Sequence, residues 1–228
     1  MFFLNFLKNS ENKSPIEPIV LFLVFFLPGF LFQNQQIDGE IFNSPRFNLY
    51  YLVSVVPQIL LLLYIIRLKG KNSFSRYGIH KLTAKDIGFG FLYALGVLII
   101  LSITMIIFNN AAAEALPLVD WQINNPAVLP LVFLTTITIG YNEELFFRSY
   151  LLTEFINNDE TNNTAVITAV SLLFALGHIY QGVGGFISTF MIGVFFSLIF
   201  LKKRRVHSIA IGHGLYNFFV LIISIFMN

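Results

Sequence analysis

Seven apolar stretches separated by short polar segments organise the chain. They cover residues 18–32, 48–66, 86–108, 127–152, 164–179, 186–201 and 206–226. A bilayer-spanning helix needs about 20 mostly apolar residues, and a strand with an unpaired edge cannot sit in lipid. The pattern therefore predicts an all-α protein, a polytopic membrane bundle of about seven transmembrane helices. The first, fifth and sixth stretches are short, which fits a thin region of bilayer or extension into flanking polar residues. Ahead of them, Phe2 to Leu7 is apolar but too short to span and carries no preceding basic region, so we read 2–7 as an interfacial segment.

Polar residues interrupt this pattern inside the spans, and the interruptions mark the candidate chemistry. The fourth stretch contains Gly140-Tyr141-Asn142-Glu143-Glu144-Leu145-Phe146-Phe147-Arg148. A charge at the bilayer centre costs roughly 3 kcal/mol even on lenient scales, so three ionisable groups within six positions need a reason. His178 follows Phe174-Ala175-Leu176-Gly177 near the end of the fifth stretch, and His213-Gly214-Leu215-Tyr216-Asn217 lies in the seventh. These residues suggest a single polar site assembled in the membrane, with Glu143, His178, His213 and Asn217 converging on one cavity among the last four helices.

Spacing separates the roles. Adjacent helical residues point about 100° apart, so Glu143 and Glu144 cannot do the same work. Glu144 and Arg148 stand at i, i+4 on one helix face and can neutralise each other in a low dielectric. Glu143 is left without a local partner and is the candidate general base or acid. His213 and Asn217, also at i, i+4, share a face, and both can donate hydrogen bonds to an oxygen that becomes negative during reaction. With His178 as a second proton handler or metal ligand, the set is an inventory for peptide hydrolysis by activated water.

Composition agrees with the pattern. The chain has 228 residues, of which 56% are hydrophobic and 11% charged, against about 25% charged in soluble domains. The net charge of +2 is too small to suggest a nucleic-acid partner. Cysteine is absent, which removes disulfides, thiolate nucleophiles and Cys-based metal sites. Ser149 has no base beside it in sequence. Gly182-Val183-Gly184-Gly185 reads as a flexible turn, because no Lys-Ser or Lys-Thr follows to make a phosphate loop. His80 and His207 fall in basic loops and read as solvated interfacial residues.

Basic residues also orient the spans. Arg67, Lys69, Lys71, Arg76, Lys81 and Lys85 fill the loop at 67–85, and Lys202, Lys203, Arg204 and Arg205 follow the sixth stretch. With seven alternating spans these loops share one side with Lys8 and Lys13. The loops at 33–47 and 109–126 contain Arg46 as their only basic residue. The bias predicts an N-terminus inside and a C-terminus outside.

Glu143-Glu144-x-x-x-Arg148, Phe174-x-x-x-His178 and His213-x-x-x-Asn217, in that order on successive membrane helices, resemble the signatures of the CPBP family. These are the CaaX-protease and bacteriocin-processing, or abortive-infection, intramembrane endopeptidases. The resemblance covers about 127–226. It implies that Glu143 and His178 activate the hydrolytic water, that His213 and Asn217 stabilise the tetrahedral intermediate, and that Glu144 and Arg148 position the site. Ser149 departs from the Gly that many relatives carry after the Arg. The family is described both as metalloproteases and as glutamate proteases. Glu143, His178 and His213 are the candidate ligands if Zn²⁺ is used, although no His-Glu-x-x-His helix is present.

The expected organisation is thus an N-terminal region, 1–126, holding the interfacial segment and three spans, and a catalytic membrane core, 127–228. The expected partners are the lipid bilayer and a membrane-associated peptide or protein substrate, and the expected location is a bacterial cell membrane. The competing reading is a non-catalytic membrane scaffold, a bacteriocin-immunity factor or a proton-coupled carrier using Glu143 and His178 as a relay. A carrier calls for two related halves, which the sequence does not show.

Overall fold

A computed structural model of the chain describes residues 16–31, 39–112, 122–156 and 162–227; the segment 2–7 lies outside the described residues. The described residues contain helices and turns but no strand. They fall into two compact units, 1–35 and 36–228. In the first, helix α1 (Ile16–Leu31) is strongly apolar, with Glu17 in its first turn and the rings of Phe22 and Phe26 stacked 5.9 Å apart.

The second unit contains α2 (Pro45–Leu68), the short α3 (Ser73–Arg76), α4 (Ala84–Ala112) and α5 (Leu129–Glu144). A π-helical segment, Leu145–Leu151, carries α5 into the short α6 (Leu152–Phe155), followed by α7 (Asn163–Leu176), α8 (Gly182–Lys203) and α9 (Val206–Met227). Local chemistry sets several starts. Ser44 caps α2 by accepting from the Phe47 amide, with Pro45 at the first helical position. Asn162 caps α7 through the Ala165 amide.

Among the described residues four helices are long and apolar enough to cross a membrane: Pro45–Leu68, Ala84–Thr104, Ile179–Lys203 and Val206–Ile223. Their outward residues are apolar and unpartnered by protein: Val53 is 72% exposed and Ile99 60%. In water that surface would be costly; in lipid it is the expected outer face.

The sequence expectation differs from the structure around His178. The helix expected at 164–179 ends at Leu176, and His178 sits in the turn that follows. A 3₁₀ turn, Ile179–Gln181, then leads into α8, which begins at Gly182, so the glycine-rich run expected as a flexible turn forms the first turn of a helix. Gly182 has φ +79°, a backbone that redirects the chain at little steric cost only because no Cβ is present. Beyond it the apolar face of α8 has a surface to bury against, and this favours the helix.

Helix α9 packs against both α4 and α5. Its approach to α5 is set by glycine. A Cβ on Gly214 would lie 2.7 Å from the Cα of Ile137, and one on Gly140 would collide with the carbonyl oxygen of Ala210. The two backbones therefore touch, as small residues allow in membrane bundles, and this brings the acids of α5 beside His213 of α9.

His80 and His207 are not solvated as expected. Both are half-buried in a hydrogen-bonded clasp between the segment before α4 and the turn before α9. His207 Nε2 donates to the His80 carbonyl at 2.6 Å, so Nδ1 is left to accept from the Tyr141 hydroxyl at 2.9 Å. The ring of His80 in turn reaches the Arg204 carbonyl at 3.0 Å. Arg205 grips Asp86 through two contacts of 2.7 and 2.6 Å, and the Val206 amide donates to the Gly78 carbonyl. The basic turn, read as a topological anchor, is also an internal clamp.

Candidate active site

Glu144 is the junction of the polar cluster. It ends α5 with no exposed surface and accepts from Arg148 Nη1 at 3.0 Å across one turn. The same carboxylate oxygen, Oε1, lies 2.8 Å from His213 Nδ1. Because a carboxylate accepts, Nδ1 carries the hydrogen, and Nε2 is the nitrogen free for chemistry. Nε2 faces Glu143, with Oε2 3.6 Å away. His213 is therefore held between the two acids. A proton on either Nε2 or Oε2 makes their approach attractive, so this pair can pass one proton.

Arg148 is also fully buried. Besides Glu144, its guanidinium is covered by aromatic faces: its Cζ is 4.1 Å from the centre of Phe174, 5.8 Å from Phe147 and 5.9 Å from Phe196. Ring quadrupoles and one carboxylate thus surround the buried cation. Arg148 lies in the π-helical segment, where the wider turn departs from the regular α-helical ladder directly after the two acids.

Phe174 links the two histidines. Its centre is 6.0 Å from that of His213 and 4.9 Å from that of His178. His178 Nδ1 lies 3.0 Å from the Phe174 carbonyl oxygen. A carbonyl only accepts, so Nδ1 carries the hydrogen here too, and Nε2 is the ring nitrogen left for other partners. Phe196 stacks on His213, with centres 5.8 Å apart and planes at 23°.

Glu143, Glu144, Arg148 and His213 thus meet directly. His178 packs against the Phe174 ring, and among the described residues no hydrogen bond or ion pair joins it to Glu143 or His213. Asn217 lies one turn beyond His213 on α9 and is half-buried. Two grooves of about 280 Å³ each lie elsewhere. One is lined by residues that include Leu60, Tyr141 and His207, the other by residues that include Ile179 and Phe186, and neither is lined by Glu143, His178, His213 or Asn217. The expected cavity around the four does not coincide with either groove.

The candidate metal ligands do not converge. Among the described residues no group of three or more His, Asp or Glu side chains is arranged to hold a metal ion. His213 turns both nitrogens toward carboxylates, and His178 packs on the Phe174 ring with its Nδ1 committed to the Phe174 carbonyl. This donor set does not fit a three-ligand Zn²⁺ site, and no step is derived through a metal.

Ser149 does not compete as a nucleophile. It is buried, and its hydroxyl donates to the Tyr77 carbonyl at 2.5 Å. Sequence reasoning missed the bond between Glu144 and His213 and the central place of Phe174. Phe174 lies in a quoted motif, but only the tertiary contacts show what it touches.

Comparison with known proteins bears on the same segment. Residues 125–219 match a family model described as Rce1-like, type II CAAX prenyl endopeptidase. The matched range includes all six polar positions of the sequence reading. No curated protein and no solved structure matches the chain. The matched family model is that of the CPBP family, so residues 125–219 are similar to CaaX-type intramembrane proteases.

Proposed function

We propose that this protein is an intramembrane endopeptidase that hydrolyses a peptide bond of a membrane-associated peptide or protein using water activated by Glu143 and His178. The protein crosses the membrane about seven times, with 1–126 as a supporting region and 127–228 as the catalytic core, its site among the last four helices. Water attacks the carbonyl carbon and passes its proton to the Glu143–His178 side of the site. The developing oxyanion is stabilised by His213 Nε2–H and Asn217. Glu144, accepting from His213 Nδ1–H, orients the ring so that a proton on Nε2 points into the site, and Arg148 balances Glu144. Collapse of the intermediate expels the amine, which takes up the proton. No protein nucleophile enters, so no covalent acyl-enzyme forms.

The observation that carries this reading is the buried His213 held between two adjacent acids within a segment matched by a protease family. Substrate trapping with Glu143→Ala tests it. The variant should accumulate, uncleaved, membrane-associated polypeptides that the wild type cuts. Identical cleavage products from both proteins would refute the reading. Loss of turnover on chelation, restored by Zn²⁺, would instead move His178 and His213 into ligand roles.

A further inference from the structure

Tyr180 is two residues beyond His178, in the 3₁₀ turn Ile179–Gln181. Its ring stacks on the imidazole of His178, with centres 6.1 Å apart and planes at 27°. The hydroxyl accepts from Gln181 Nε2 at 3.1 Å, which fixes the phenol at its far end. Gln181 is itself seated by Gly185 in the first turn of α8, where an added Cβ would collide with the Gln181 Cβ. Gly185, Gln181, Tyr180 and His178 thus form one contiguous stack.

His178 needs such support. It lies outside helix α7, in a turn, and among the described residues its ring makes one hydrogen bond, from Nδ1 to the Phe174 carbonyl. Rotation of an imidazole about its outer torsion is soft. One hydrogen bond and the tilted Phe174 ring set a direction but leave that rotation loosely held. A misplacement of about 1 Å in a reacting group can cost on the order of 10²-fold in rate.

We infer that Tyr180 is a positioning residue of the hydrolytic site, its ring holding the His178 imidazole at its working angle and Gln181 holding the ring. This rests on the proposal that His178 helps to activate water. Tyr180 does not itself touch the reacting atoms. The stack explains why the chain makes a tight 3₁₀ turn between α7 and α8: the turn brings residue 180 back over residue 178.

Two measurements on the full chain in detergent micelles test the inference. The first is cleavage of a fluorogenic farnesylated CaaX peptide. Tyr180→Leu should lower kcat by roughly 10–100-fold with KM moved less than about threefold, the usual range for residues supporting a catalytic group. Tyr180→Phe retains the ring and should stay within about fivefold of wild type. Gly185→Ala, which displaces Gln181, should lower kcat in the same direction as Tyr180→Leu. The second measurement is the ¹⁵N spectrum of histidine-labelled protein, with His178 assigned by its loss in His178→Gln. Wild type and Tyr180→Phe should show one ordered Nδ1–H tautomer, and Tyr180→Leu an averaged signal. An unchanged His178 signal in Tyr180→Leu, or equal losses in the Phe and Leu variants, would overturn the inference. Failure of the wild type to cut the peptide would count against the hydrolase reading alone, since the spectrum still reports on the stack.

Discussion

Two adjacent glutamates do different work because each meets a different partner. Glu144 has no exposed surface and serves Arg148 and His213 through one oxygen. Replacing it with Gln removes the charge that balances a buried guanidinium, a loss of about 3–5 kcal/mol for a broken buried pair. Glu144→Gln should therefore lower the melting temperature in detergent and also reduce turnover, because His213 loses its orienting acceptor. Glu143 meets only His213 at 3.6 Å among the described residues, and its Oε2 has no hydrogen-bond partner there. Glu143→Gln should keep the melting temperature and abolish turnover. Thermal melts beside single-turnover assays separate the two. Unfolding from the first acid, with turnover lost from the second alone, would exchange their roles. The i, i+4 pairing of Glu144 with Arg148 was legible in sequence, because helical geometry requires it. The bond from Glu144 to His213 was not, because the partner comes from another helix.

At the scale of elements, the meeting of α5 and α9 depends on glycine at their crossing. Gly214 touches the backbone of α5, and any Cβ there must push Ile137 away. Gly214→Ala should destabilise the bundle by about 1–3 kcal/mol through overpacking and should reduce kcat further than this loss implies, since it pulls His213 from both acids. Retained turnover at a temperature where the variant is fully folded would show that the close approach is dispensable. The helical class itself was legible, because the runs are long and apolar, and the described residues form helices and turns. The end of α7 was not. A 3.6-residue pattern carries through Gly177 and His178, whereas the actual stop follows from the turn and from the seating of Tyr180.

At the scale of the molecule, outward apolar surface and basic loops argue for a membrane protein with a defined orientation. Among the described residues four helices meet the length and hydropathy of a span, and residues 129–155 are carried by α5, the π-helical segment and α6. The basic loops at 67–85 and 202–205 predict that reporter fusions at Asn72 and Asn124 report opposite sides of the membrane. Both reporters on one side would remove the proposed topology. The clasp of Arg205 with Asp86 and of His207 with His80 and Tyr141 adds that these two basic segments are fastened to each other. The sequence suggested solvated histidines there, because their neighbours in the chain are basic and polar. The partners that bury them are remote in sequence.

The sequence by itself determined the solvent, the helical class and the identity of the candidate residues. Apolar run length dictates helices in lipid. A charged or imidazole side chain within such a run is costly enough to mark a site wherever it occurs. Spacing along one helix also determined which residues share a face, as with Glu144 and Arg148 or His213 and Asn217. Only the tertiary structure decided which faces meet. The Gly140–Gly214 contact set His213 between Glu143 and Glu144, the rings of both histidines came to pack on Phe174, and a short turn put Tyr180 over His178. Periodicity along one helix says nothing about the neighbour it will touch, and these arrangements depend on contacts between segments far apart in the chain.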